Sequence, residues 1–330
     1  MTPRILSVFF GFSLACGGAG VSSLRAQTSL ADAQKDYNAG RYTRAVDTLT
    51  IEATKSPDDA PLYFLLGQCH YQLREFSKAI DAEEHAVKLS PDQSEYHDWL
   101  GRAYGRKAEE SIFFNAMSLA RKTHKEFEVA VQLNPSNFEA QRDLIRYEIN
   151  APGIVGGGDD KALKHIDELE KIDGLEGELA RGEFFATKKR MPEADAVFAK
   201  IMEANPTRIG VYLEIADYYR DRPNAEKLAE TIAAAERMDP NDRRLKYYRG
   251  VLLVMEGKNS SEAEMLLKSY MATVPNNSDL PPHASAREWL GKLYESQGHF
   301  SEAAQAYRIS LVGDPHNKAV EDDLKRVEKK

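Results

Sequence analysis

Residues 61–91 read PLYFLLGQCHYQLREFSKAIDAEEHAVKLSP. Gly67 and Ala79 are small residues twelve positions apart, each inside a stretch rich in apolar residues, and Pro91 closes the second stretch. Proline cannot donate to a helical ladder, so a helix stops there, and small residues let two helix axes approach. The segment therefore reads as a helical hairpin in which a small residue of the first helix faces a small residue of the second.

The same punctuation recurs along the chain. Pro57, Pro91, Pro135, Pro206, Pro240, Pro275 and Pro315 are spaced by 34, 44, 71, 34, 35 and 40 residues, and the 71-residue interval hides two units, with Gly174 of KIDGLEG where a proline is expected. Small residues at Ala33, Gly67, Gly101, Gly182, Ala216, Gly250 and Gly291 run in phase, followed about twelve positions later by Ala45, Ala79, Ala194, Ala263 and Ala303. A repeated unit of this length cannot bury its apolar face alone and must stack on its neighbours.

This pattern resembles the tetratricopeptide repeat family over nearly the whole chain after the leader. Residues 61–91 place Leu66-Gly67, Ala79, Ala86 and Pro91 at the family's marked positions, and REWLGKLYESQGHFSEAAQAYRISLVGDP (287–315) does so with Leu290-Gly291, Tyr294, Phe300, Ala303, Tyr307 and Pro315. The resemblance implies an all-α, right-handed superhelical solenoid of about eight antiparallel helix hairpins over residues 27–316. The first unit, and the fourth, where Ile145 replaces the small residue, match least well. Residues 317–330 place Ala319, Val320, Leu324 and Val327 on one face, as a C-terminal helix capping the open end would require.

The N-terminus has the layout of a bacterial secretory leader: Arg4, an apolar run from Ile5 to Ala15, then small residues ending at Ala26. Cleavage is expected after Ala26, with Ser23 as the alternative, and the apolar run is too short to span a membrane. An alternative reading, lipidation at Cys16, meets Ser13 where a lipoprotein leader has an aliphatic residue. Without residues 1–26 the chain carries 42 basic and 52 acidic residues, a balance of −10 that disfavours nucleic acid and anionic lipid as partners. Cys69 is then the remaining thiol, so no internal disulfide can form.

Two units carry insertions, near 105–120 and 150–161, both expected at turns on one edge of the stack. The second, NAPGIVGGGDDKA (150–162), is glycine-rich, but Asp159 and Asp160 stand where a phosphate-binding loop has its lysine and hydroxyl residue, and a helix precedes it rather than a strand. The glycines read as turn formers and Asp159 or Asp160 as a helix cap; two carboxylates without further ligands make a poor calcium site. Ile112, Phe113, Phe114, Met117 and Leu119 of the first insertion extend beyond the usual hairpin, and Pro152, Ile154 and Val155 of the second are expected to pack on them as one knob.

No HExxH, G-x-S-x-G or Cys/His cluster is present, so the sequence offers no cofactor, metal or catalytic residues. His70 reads as a packing residue, and Trp99 and Trp289 as core or groove wall. In the stacked array the first helices line a concave wall. From the phase, that wall should show Phe64, Gln68, Tyr71, Asp98, Arg102, Arg106, Glu183, Asp217, Arg220, Tyr247, Val251, Lys292 and Glu295. Mixed charge with aromatics suits a protein or peptide partner rather than a polyanion. The family's chaperone-tail clamp of lysines and asparagines is replaced by Asp98 and Arg102. The expected function is a non-enzymatic interaction scaffold of the cell envelope, periplasmic or secreted, with an anchored lipoprotein or an accessory subunit of an assembly, secretion or enzymatic complex as the alternative.

Overall fold

The computed structural model describes residues 29–222, 224–278 and 280–330; the leader and its cleavage site lie outside them. The described residues form helices, with no strand among them. Eight hairpins follow one another: α1 (29–38) with α2 (Tyr42–Ala53), α3 (Ala60–Gln72) with α4 (Phe76–Leu89), α5 (Ser94–Glu109) with α6 (Phe113–Leu133), and α7 (Phe138–Asn150) with α8 (Asp159–Ile172). The series continues with α9 (Gly174–Thr187) and α10 (Met191–Glu203), α11 (Ile209–Arg220) and α12 (Ala225–Met238), α13 (Leu245–Glu256) and α14 (Ser260–Thr273), and α15 (His283–Ser296) and α16 (Phe300–Gly313). Helix α17 (Lys318–Val327) closes the array. First helices stack on first helices, α3 on α5, α5 on α7 and α7 on α9, and again α11 on α13 and α13 on α15, which makes them the inner tier of the solenoid.

The in-phase small residues work differently from the expectation. A Cβ built on Gly101 would lie 2.6 Å from Phe127, on Gly182 2.6 Å from Phe198, and on Gly291 2.4 Å from Tyr307. Phe198 and Tyr307 each follow the buried alanine of the second helix, Ala194 or Ala303, by four residues, one turn on. The glycine is thus a notch that receives a large side chain, and the alanine brings the axes close enough for it to enter. In the second hairpin the notch at Gly67 is filled by Glu83 instead.

The long third unit contains no extra loop. Its additional residues lengthen the pair, α5 to 16 residues and α6 to 21. The fourth hairpin does turn through an inserted loop, with a 3-10 turn at Gly153–Val155. Gly156 has φ +111°, a Cβ on Gly157 would stand 1.8 Å from the Ala151 carbonyl oxygen, and the Gly158 amide donates to the Glu148 carbonyl at 2.8 Å. Only glycine meets both demands. Asp159 and Asp160 do not cap α8, whose N-cap is Gly158; they sit in its first turn, where the helix dipole favours negative charge, and Asp159 pairs with Lys188 at 2.5 Å.

The expected knob does not form. Ile112, Phe113 and Phe114 are 78, 71 and 82% exposed and Ile154 is 69% exposed, while Met117 is half-buried and Pro152 exposed. Of the set, only Val155 is buried. The inserted loop does lean on α6, but two turns further along it: the single Tyr147 hydroxyl proton is shared between the carbonyls of Ala120 and Val155, 2.7 and 2.8 Å away, and Gly156 abuts the His124 ring. Lengthening α6 carried the two phenylalanines past the reach of the neighbouring turn.

At the C-terminus Val320 and Val327 of α17 are buried on Ala303, Ala304 and Tyr307, with Leu324 beside them and Ala319 turned outward. Asn317 caps the helix by accepting from the Val320 amide.

The superhelix curls until its ends meet. Residues 275–278 of the connector between α14 and α15 lie against the first two hairpins. Tyr42 Oη donates to the Asn276 carbonyl at 3.0 Å, Gln72 exchanges two hydrogen bonds with Ser278, and Arg74 donates to the Gly313 carbonyl. Gly40, at φ +73°, leaves room for Pro275, whose Cβ would be 2.8 Å from any side chain there. The groove is thereby closed into a ring.

Candidate functional site

The ring surrounds an open cavity of about 2230 Å³, walled by α1, α3, α5, α7, α11 and α13, with Glu176 of α9 and Ser278, Leu280, Pro281 and Pro282 also on the wall. Phe64, Gln68, Tyr71, Asp98, Arg102, Arg106, Asp217 and Arg220 all line it, as their phase requires. Trp99 joins them, its ring 5.4 Å from that of Tyr71 and 6.4 Å from that of Phe64, edge-on to both.

The remaining expected positions fall elsewhere. Tyr247 and Val251 are fully buried and cannot meet a partner. The Tyr247 ring lies among Arg220, Tyr270 and Ser285, to which its hydroxyl is bonded at 2.7 Å, because α15 packs closely on α13; Tyr248 lines the cavity instead. Glu183 is outside the lining and pairs with Arg146 at 2.7 Å. Lys292 pairs with Glu288 and lies over Trp289, and Glu295 receives Arg326 of α17, so both serve the C-terminal end rather than the cavity.

Sequence phase assigned nothing to the fourth hairpin, and this is where the wall is richest. Arg142 and Arg146 line the cavity on successive turns of α7, flanking Ile145 as Asp98 and Arg102 flank Gly101. With Ile145 read as the small-residue position, the same spacing would have found them. They build a ladder of alternating charge across the inner tier. Arg102 meets Asp98 at 3.0 Å and Asp143 at 2.5 Å; Arg142 meets Glu176 at 2.9 Å and also Glu214; Arg208 meets Glu176 at 2.7 Å; Arg220 meets Asp217 at 2.5 Å. Burial pushes the carboxyls of Asp143, Glu214 and Asp217 upward, and the neighbouring arginines draw each back. Such a ladder fixes the rotamers of long side chains and presents both signs to whatever enters.

Behind the wall, Glu148 is held between His124 at 3.3 Å and His165 at 2.8 Å; burial pushes its carboxyl up, but the hydrogen bonds and charges of the two imidazoles together leave it lowered, and the bond to Glu148 raises His165. His70 is buried and bonded to Glu75 at 2.7 Å, a packing role, and burial raises the Cys69 thiol to about 12, leaving it inert. Among the described residues no group of three or more His, Cys, Asp or Glu could hold a metal ion, and no helix is long and apolar enough to cross a membrane.

Comparison with known proteins bears on the repeats. The tetratricopeptide repeat family model matches residues 30–94 and 266–318, the two ends that meet in the ring. A 56-residue stretch is 39% identical to anaphase-promoting complex subunit 3 of Dictyostelium discoideum, covering 17% of this chain and 6% of that protein's length. Among solved structures, a tetratricopeptide repeat protein from Parabacteroides merdae is 15% identical, covering 92% of this chain and 99% of its own, with a TM-score of 0.45. The Cut9–Hcn1 hetero-tetramer of the APC/C is 14% identical over 94% of this chain and 57% of that one, with a TM-score of 0.49.

Proposed function

We propose that this tetratricopeptide-repeat solenoid is a non-enzymatic scaffold that binds a segment of another polypeptide inside its ring. Repeats of this type mediate contacts between proteins, and the observation that carries the reading is the cavity itself. It is large and walled by side chains of both signs interleaved with aromatics. The lining carries both signs with acidic residues in excess, which suits a polypeptide carrying its own mixture of groups and repels a polyanion. A photo-crosslinking residue placed at Gln68 or Glu214 in the cavity wall tests this, against Lys200 on the outer tier. Polypeptide adducts from the inner positions alone are expected. Equal labelling inside and out would refute it.

The scaffold works in the cell envelope, exported by the leader at 1–26. Arg4, the apolar run and Ala26 support this. N-terminal sequencing of the exported product should begin at Gln27. Mass spectrometry showing a diacylglyceryl group on Cys16 would favour the anchored alternative, and a product retaining Met1 would remove export altogether.

A further inference from the structure

We propose that the wall where α3, α5 and α7 meet is a subsite for one cationic side chain, lysine or arginine, of the bound segment. The inference rests on the peptide-binding reading. Asp98 lines the cavity yet is only 2% exposed, and its two oxygens differ: Oδ2 faces Arg102 at 3.0 Å, whereas Oδ1 is buried with no hydrogen-bond partner. A buried acceptor left unmatched is costly and points to a group that is to fill it.

Three further carboxylates converge on the same place. Glu95 stands one turn before Asp98 on α5, and Glu139 and Asp143 of α7 face it across the wall, all four lining the cavity. The cation among them is Arg102, already engaged by Asp98, by Asp143 at 2.5 Å and by Glu139 at 3.6 Å. Arg106 is held by Glu109 at 2.6 Å and Arg146 by Glu183 at 2.7 Å. Arg102, Arg106 and Arg146 are thus each held by carboxylates of the chain, so an incoming carboxylate meets a surplus of like charge, while an incoming cation finds an acceptor and a deficit to fill.

The aromatic setting suits the same chemistry. The Arg102 guanidinium lies 5.1 Å over the Trp99 ring, so this wall already stacks one cation on a π face, and Phe64 and Tyr71 extend that face along α3. The methylene stem of a lysine or arginine can lie along these rings with its head at Oδ1. Burial pushes the Asp98 carboxyl up to about 8 against the pull of Arg102, and a cation against Oδ1 supplies the counter-charge that holds it ionised.

The test selects a random-peptide phage library on the immobilised full chain. Synthetic copies of the enriched peptides are then titrated against the unmodified protein and the Asp98→Asn and Glu95→Gln variants. Glu95 is exposed, so its replacement disturbs no core packing, and thermal melting checks that both variants remain folded. One lysine or arginine position should dominate the selected sequences. Replacing it by norleucine should weaken binding about tenfold or more, and that penalty should shrink in Asp98→Asn and fall partway in Glu95→Gln. Peptides that bind the cavity with no basic position, with an acidic one, or with a basic position indifferent to Asp98→Asn overturn the subsite while leaving the peptide-binding reading in place. A selection that yields no cavity-dependent binder overturns that reading instead, and the subsite with it.

Discussion

Glu83 fills the notch at Gly67 where Phe127, Phe198, Leu267 and Tyr307 fill the equivalent notches. It is 1% exposed, neither carboxyl oxygen has a hydrogen-bond partner, and burial raises its carboxyl well above the usual range. Replacing it with methionine keeps the length and removes the unmatched polar group, which should stabilise the second hairpin by about 1–3 kcal/mol. The sign of the pH dependence follows from the raised carboxyl. Between its unfolded and folded pKa values the folded chain binds the proton and the unfolded chain does not, so the stability Glu83 leaves intact in acid is lost as pH rises, by about 1.4 kcal/mol per unit across that window. The advantage of Glu83→Met should therefore be larger at about pH 7.5 than at about pH 5. Each kcal/mol corresponds to a shift of about 2–4 °C in melting midpoint for domains of comparable size. Because repeat arrays unfold locally, hydrogen exchange of α3 to α5 amides should slow alongside the melting shift. A variant no more stable than the parent, or one whose gain is the same at both pH values, would refute the reasoning.

Three other perturbations follow from the geometry. Replacing Phe113 and Phe114 with serine should leave the melting temperature almost unchanged, within about 0.5 kcal/mol, because both rings are already in solvent; a drop of several degrees in calorimetry would show that they are covered. Gly157→Ala should melt the fourth hairpin's turn, since the new carbon would stand 1.8 Å from the Ala151 carbonyl oxygen, and exchange of the Gly158 amide reports it; an unperturbed amide would contradict the packing described. Tyr42→Phe combined with Gln72→Ala removes three hydrogen bonds of the seam, each worth about 0.5–1.5 kcal/mol, and should lengthen spin-label distances between the first and seventh hairpins, whereas unchanged distances would mean the ring is held by the curvature of the stack alone.

Local pattern determined a great deal about this protein. Pro91 ends a helix wherever the chain goes, and Gly67 and Gly101 mark the side of a helix on which a neighbour must come close, so the hairpins and the inward position of Gln68, Asp98 and Arg102 were legible from spacing. Where a unit broke the spacing, as at Ile145, the same reading went silent and passed over Arg142 and Arg146. What tertiary structure alone decided depends on curvature summed over many units. A few degrees at each interface decide whether residue 42 ever meets residue 276, and no local pattern in either segment encodes the other's position. The same holds for the exposed Phe113 and Phe114 and the buried Tyr247. Periodicity gives the direction in which a side chain leaves its helix, while the length of α6 and the close approach of α15 to α13 decide whether anything stands there to cover it.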